Sequence, residues 1–464
     1  MRRLVPLLLL AAAAAAEHVA VELECPADAP YRVARDLDGD GLDDLLLVTG
    51  SEAWLWHGRR EGFRRAPDAR MPLPKGTAFF DVGPAGAAKQ HLVARTAGGY
   101  FAVRPGAEPE RLALASGFGL PPNPANLLWR GFFRDFDRDG AMDWIDVSLA
   151  GYAILFGGGG AVTIPPRLLE TADTAAGAAS DRIVARYAVG DWTDGDFDGD
   201  GRPDFAVMTP GGLLVYPGDD DGRFDPARNA EIGLGVEEDA DLFFQDLNAD
   251  GKTDVLAVRR KAGRAEVLIA GGDGLKEPRR IRLAIPGEIR SALVDDLDGD
   301  GRPDLGLPFI PHPSVRMAVR AFVQGEVILK VPIFLNRGGD APIGVRADKQ
   351  VSLPVKIRVG TDSEGRITLS GLVVVEYGGD LDGDGRKDLV VTSKPTLLDV
   401  YRGVDGSIFA DEAAFRIAIP DCSEYDTVRS VAANLNGDAR ADIVLQYRGG
   451  GRRPDRLVLL LSRD

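Results

Sequence analysis

Seven nine-residue stretches of this chain place oxygen-bearing side chains at positions 1, 3, 5 and 9, and six of them carry glycine at position 6. The first holds Asp36, Asp38, Asp40 and Asp44, with Leu42 at position 7. The second holds Asp135, Asp137, Asp139 and Asp143 around Ala141, and the third Asp196, Asp198, Asp200 and Asp204 around Arg202. Asp246, Asn248, Asp250 and Asp254 with Lys252 follow, then Asp296, Asp298, Asp300 and Asp304 with Arg302. Asp380, Asp382, Asp384 and Asp388 with Arg386 form the sixth, and Asn434, Asn436, Asp438 and Asp442 with Arg440 the last. In a tight loop, side-chain oxygens at positions 1, 3 and 5 converge on one point, the position-7 carbonyl joins them, and the position-9 carboxylate closes the shell. Hard oxygen donors without His or Cys suit calcium far better than zinc. Carboxylates this crowded repel one another unless a cation lies between them.

A single Asp-Gly stretch reads equally well as a solvated turn. Seven in one oxygen register do not. An EF-hand is excluded, because position 12, where its Glu belongs, is Leu47, Val207 and Val391 in three copies. The residues after the loops are strand-like rather than helical: Leu45 to Val48, Phe205 to Met208, and Leu389 to Thr392.

The elements that must position these loops are therefore short strands. A second apolar run ending in a glycine turn follows each loop, as at Trp54 to Gly58, Tyr152 to Gly157, Leu213 to Gly218, Val267 to Gly271, Ile333 to Gly338 and Leu398 to Gly403. Each unit reads as one four-stranded antiparallel sheet, and the repetition predicts an all-β propeller. Gly76 to Leu114 is a degenerate unit without the ligands. Units beginning at 36, 81, 135, 196, 246, 296, 380 and 434 give eight blades, with seven as the alternative. The long sixth interval implies an inserted hairpin over about 309–357, with Val315 to Val323 and Val327 to Val331 flanking Gln324 to Glu326. A smaller insertion, Thr171 to Tyr187, suggests a short helix.

Residues 1–16 read as a secretory signal: Arg2 and Arg3, an apolar run, and small residues at Ala14 and Ala16. The mature chain, 17–464, is then expected to be secreted or periplasmic, with no later segment long and apolar enough to span a bilayer. Its charge moves from −16 to −18 on losing Arg2 and Arg3, which argues against nucleic acid. Seven divalent ions would bring that value near neutrality.

The repeated D-x-D-G-D-G-x-x-D loop followed by an apolar strand resembles the FG-GAP/VCBS repeat family, which includes the propeller of integrin α chains. The resemblance implies a calcium-binding propeller holding about six or seven ions, with side-chain ligands at positions 1, 3, 5 and 9 and a carbonyl at 7. Asn248, Asn434 and Asn436 depart from that pattern, and the last loop, with two carboxylates, is expected to bind most weakly.

The last unit lacks its fourth strand at the C-terminus, and His18 to Glu24 is expected to supply it and close the ring. Cys25 and Cys422 follow outer strands in equivalent places, so an exported chain is expected to join them as a disulfide, the alternative being two buried thiols. No nucleophile elbow, phosphate loop, dinucleotide fingerprint or zinc spacing occurs, and the four histidines do not group. The reading is a non-catalytic, monomeric scaffold for a protein or glycan partner. The alternative is a polysaccharide-active, lyase-like enzyme on a calcium-stabilised propeller, which rests on fold analogy alone.

Overall fold

Runs such as Asp44–Val48 are too short for a helix and are buried on both faces, so each must lie between neighbours on two sides. In the computed structural model these runs become the second strands of radially stacked sheets. The structure describes residues 17–26, 29, 31–83, 92–113, 128–129, 131–137, 139–148, 151–165, 168–171, 186–189, 191–221, 223–237, 239–312, 314, 320–321, 323–339, 342–361, 367–371, 375–404, 408–449 and 453–463. The signal segment 1–16, His91 and residues 172–185, where the smaller insertion is expected to form a short helix, lie outside them.

Eight antiparallel blades form a propeller ring. Blade 1 runs Tyr31–Arg35, Asp44–Val48, Glu52–Trp56 and Ala69–Pro72. Blade 2 is the degenerate unit, Phe79–Val82, Leu92–Thr96, Gly99–Val103 and Glu110–Ala113, with Leu128–Trp129 added in parallel to its inner strand. Blades 3, 4 and 5 begin at Phe133–Arg134, Trp192–Gly195 and Asp241–Gln245. Blades 6 and 7 begin at Leu293–Asp295 and Val375–Gly379.

Blade 8 stacks Thr427–Ala433, Asp442–Arg448 and Arg456–Arg463, and its fourth strand is Glu17–Leu23, in register from Glu17 opposite Arg463 to Leu23 opposite Leu457. The N-terminal strand thus closes the ring, as the missing outer strand required. Every blade contributes alternate residues to the cores on its two sides. Leu46 and Val48 pack with Phe80 and Ala94 of blade 2, while Leu45 and Leu47 pack with Val444 and Leu459 of blade 8.

Two expectations are corrected. Of the expected first arm of the hairpin, Arg320, Ala321 and Val323, with Gln324 of the turn, are helical rather than strand, and 315–319 lie outside the described residues. Glu326–Phe334 pairs instead with Lys349–Thr361, which continues to Ile367–Gly371, so blade 6 itself is extended. The two cysteines are not bonded. Cys25 packs among the residues between blades 8 and 1, and Cys422 among those between blades 7 and 8. The closing sheet stands between them, because equivalent points on neighbouring blades lie on opposite faces of one sheet. Burial pushes the Cys25 thiol up to about 12. No helix among the described residues is long and apolar enough to cross a membrane.

Candidate metal centres

Each acidic stretch links the first strand of a blade to the second, so all seven lie at one end of the ring. The loops share one hydrogen-bonded frame. In the first, the Asp36 carboxylate accepts from Gly39 N–H at 2.7 Å and from Gly41 N–H at 2.9 Å. Asp38 accepts from Asp40 N–H and Asp40 from Leu42 N–H. The same bonds recur around Asp196, Asp296 and Asp380. Folding the chain around its own carboxylates needs left-handed backbone at positions 4 and 6, where φ is 84° at Gly39 and 87° at Gly41. Ala249 takes position 4 of its loop at φ 59°, a conformation that disfavours a side chain.

Carboxylate oxygens within 4.8 Å of one another come together in Asp36, Asp38 and Asp40, in Asp135, Asp137 and Asp143, in Asp196, Asp198 and Asp204, and in Asp296, Asp298 and Asp300. Positions 1, 3 and 5 face the solvent end, whereas position 9 is fully buried in six loops and 1% exposed at Asp44. Both of its oxygens take backbone donors. Asp44 accepts from Leu37 N–H across its own loop and from Gly58 N–H at the end of the third strand, both at 2.9 Å. Asp204, Asp304, Asp388 and Asp442 repeat this with Gly218, Asn336, Gly403 and Ser462. Position 9 therefore pins loop, second strand and third strand together.

Burial raises these acids. Asp204 is pushed up to about 7 and Asp254, Asp304, Asp388 and Asp442 to about 6, against the lowering effect of the two backbone donors.

The donor set fits a hard divalent cation. In the second loop Asp135 Oδ1 is buried without a hydrogen-bond partner, beside Asp137 and Asp143. An orphaned carboxylate oxygen among other carboxylates is a position that a cation satisfies. Positions 1, 3, 5 and 9 of the loops at 36, 135, 196, 246, 296 and 380 have the residues to hold one.

The last loop differs. Ser462 Oγ lies 3.0 Å from Asp438 Oδ1 and 3.0 Å from Asp442 Oδ1, and Asn436 Nδ2 donates to Asp438. Here neutral side chains occupy the acidic oxygens.

Three features escaped the sequence reading. His57, just before the Gly58 turn, sets Nδ1 3.2 Å from both Asp38 and Asp44, bringing nitrogen to an otherwise oxygen-only site. Cationic position-7 residues do more than present a carbonyl. Arg202 and Arg302 each bond the position-5 aspartate of their loops, and Lys252 Nζ donates to Gly271 O at 2.6 Å. Arg402, preceding the Gly403 turn, pairs with Asp382.

Glycines before the loops keep adjacent blades close. A Cβ on Gly379 would lie 2.5 Å from Ala441 Cβ, and one on Gly195 would lie 2.4 Å from Thr253 Oγ1. Gly379→Ala is expected to destabilise by about 1–3 kcal/mol through overpacking, measured by denaturant unfolding. A variant as stable as the parent would show that the blades can part there freely.

Residues 196–257, 246–307 and 380–445 match the FG-GAP-like repeat family. No curated protein matches the chain. Among solved structures, a Photorhabdus luminescens Tc holotoxin pore is similar over 97% of this chain at 16% identity and a TM-score of 0.38, and this chain spans 15% of its length. An Agrocybe aegerita lectin that recognises non-reducing terminal N-acetylglucosamine is 17% identical, with a TM-score of 0.41, over 81% of this chain and 92% of the lectin. The Vibrio cholerae biofilm matrix protein Bap1 is 13% identical, with a TM-score of 0.25, over 97% of this chain and 67% of its own. The three matched stretches and the ring of eight blades show a β-propeller that carries FG-GAP-like repeats.

Proposed function

We propose that the protein is an exported, calcium-loaded propeller that acts as a rigid scaffold for a protein or glycan partner and carries out no reaction. The observation that carries this reading is the recurrence of one carboxylate frame, with the same internal hydrogen bonds, at the same end of six blades. Calcium, when bound, supplies positive charge that the crowded aspartates lack. Asp36, Asp38, Asp40 and Asp44 and their counterparts would hold it through side chains, with the position-7 carbonyl beside them. Export is supported by the basic and apolar start of the chain. Cleavage after Ala16 would leave Glu17, the first residue of the ring-closing strand, at the new N-terminus.

Elemental analysis of protein dialysed against millimolar calcium is expected to give about six equivalents, with removal by chelator lowering the melting temperature and calcium restoring it. Protein that retains no divalent cation at millimolar supply overturns the reading. A glycan array and a pull-down from the native secretome then identify the partner class.

A further inference from the structure

The acidic loops are not isolated from one another. At three junctions the position-8 N–H of one loop donates to the position-1 carbonyl of the loop in the preceding blade. Thr253 N–H donates to Asp196 O at 2.7 Å, Ala441 N–H to Asp380 O at 2.6 Å, and Asp43 N–H to Asn434 O at 2.8 Å. The last is reciprocated by Asn434 N–H onto Asp43 Oδ2 at 2.9 Å. Gly195 and Gly379, where a Cβ would meet Thr253 and Ala441, are what permits this approach at two of the three.

The N–H of residue 8 and the C=O of residue 7 belong to a single peptide unit, planar and resonance-stabilised. One end of that unit is the backbone ligand of its own loop. The other end is bonded to the residue that begins the ligand set next door. Drawing electron density from the carbonyl makes the N–H a stronger donor, because linked hydrogen bonds polarise one another. At two other junctions this wire is cut. Position 8 is Pro203 in blade 4 and Pro303 in blade 6, and proline has no N–H to give. Blades 5 and 6 are tied instead by a side chain, with Asn336 Nδ2 donating to Leu247 O and, at 2.9 Å, to Pro303 O.

We propose that neighbouring loops bind their cations cooperatively where the position-8 N–H donates to the loop of the preceding blade, and independently where position 8 is proline. The inference rests on the calcium reading above. It divides the ring into coupled segments: the loops at 196 and 246 form one, and those at 380, 434 and 36 another. The loop at 296 is separated from that at 246.

Amide hydrogen exchange of the 246–254 and 296–304 segments, followed against free calcium, tests this. Asp200→Ala, which damages the loop at 196, is expected to raise the calcium midpoint of the 246–254 segment about fivefold, the low end of measured site-to-site coupling. Asp250→Ala should leave the midpoint of 296–304 in place, since Pro303 interrupts the link. Thr253→Pro should abolish the effect of Asp200→Ala while keeping every side-chain ligand, and the prolines at the same position of two other loops show that the loop accepts it. Should that variant not fold, the comparison of the 246 and 296 loops decides alone. Equal shifts at both junctions, or none at 246–254, overturn the coupling. Absence of any calcium-dependent protection in either segment overturns the calcium reading instead.

Discussion

Stripped of divalent cation, the protein is expected to melt at a higher temperature at pH 5 than at pH 7.5, and calcium is expected to reverse that order. The cause is the buried position-9 aspartate of each loop. In the folded chain five of these carboxyls sit near 6 to 7, against an ordinary value of 3.8, with burial as the leading cause. Asp44 and Asp143 are raised for the same reason. Between those values the folded state binds protons that the unfolded state has released, so stability falls as pH rises. The contribution is complete below about pH 4 and is lost on passing through 6 to 7. At about 1.4 kcal/mol per pH unit, the part of each contribution lost between pH 5 and 7.5 is roughly 1–3 kcal/mol. Several together should move the melting temperature by on the order of 10 °C.

A bound cation favours the ionised carboxylates, so the calcium-loaded protein should gain most of its stability on the alkaline side of the same window. Thermal melts in chelator and in millimolar calcium across pH 5 to 7.5 check both halves. A chelated protein whose stability rises or stays level over this range would mean that the position-9 acids are already ionised when buried.

What the sequence disclosed and what it hid divide along the range of the interactions. The loops were legible because their frame is local, with each bond spanning two to seven residues, as from Asp36 to Gly39 and Gly41. The blades were legible because a strand buried on both faces, such as Asp44–Val48, must be apolar throughout. Position 9 read only as a ligand, since its second partner comes from a turn 14 residues away at Gly58, and farther still in blade 6, where Asp304 meets Asn336. His57 and Ser462 were invisible for the same reason, as the third strand carries them back to a loop that no spacing rule connects to them. The cysteines misled because likeness of position in two repeats places residues on equivalent faces of different blades, and a whole sheet then separates them. Val327 paired with Val355 rather than with the nearer apolar run because the strand it joins already belonged to blade 6.

Asp146→Ala is expected to destabilise the propeller by about 3–5 kcal/mol, while the double change Arg95→Met with Asp146→Leu leaves it within about 1 kcal/mol of the parent or above it. Asp146 lies three residues past position 9 of its loop, where the other six blades with acidic loops have Leu47, Val207, Ala257, Leu307, Val391 and Leu445, all buried. A carboxylate there is admitted only because blade 2 answers it. Arg95 donates from Nη2 at 2.8 Å and from Nε at 3.3 Å, and Tyr100 donates its hydroxyl at 2.9 Å. Both charged residues are at most 1% exposed, and Arg95 Nη1 has no hydrogen-bond partner. Removing the acid alone strands a guanidinium in a dry interface, whereas removing both charges restores the apolar contact that the other blades use. Denaturant unfolding at saturating calcium measures the two variants, and equal stability of the single and double changes would show that the pair is solvated. The pair joins blade 3 to the one blade that lacks the acidic repeat. Orientation there is set by Arg95 and Tyr100 converging on Asp146, whereas at three other junctions backbone hydrogen bonds between loops tie the blades together.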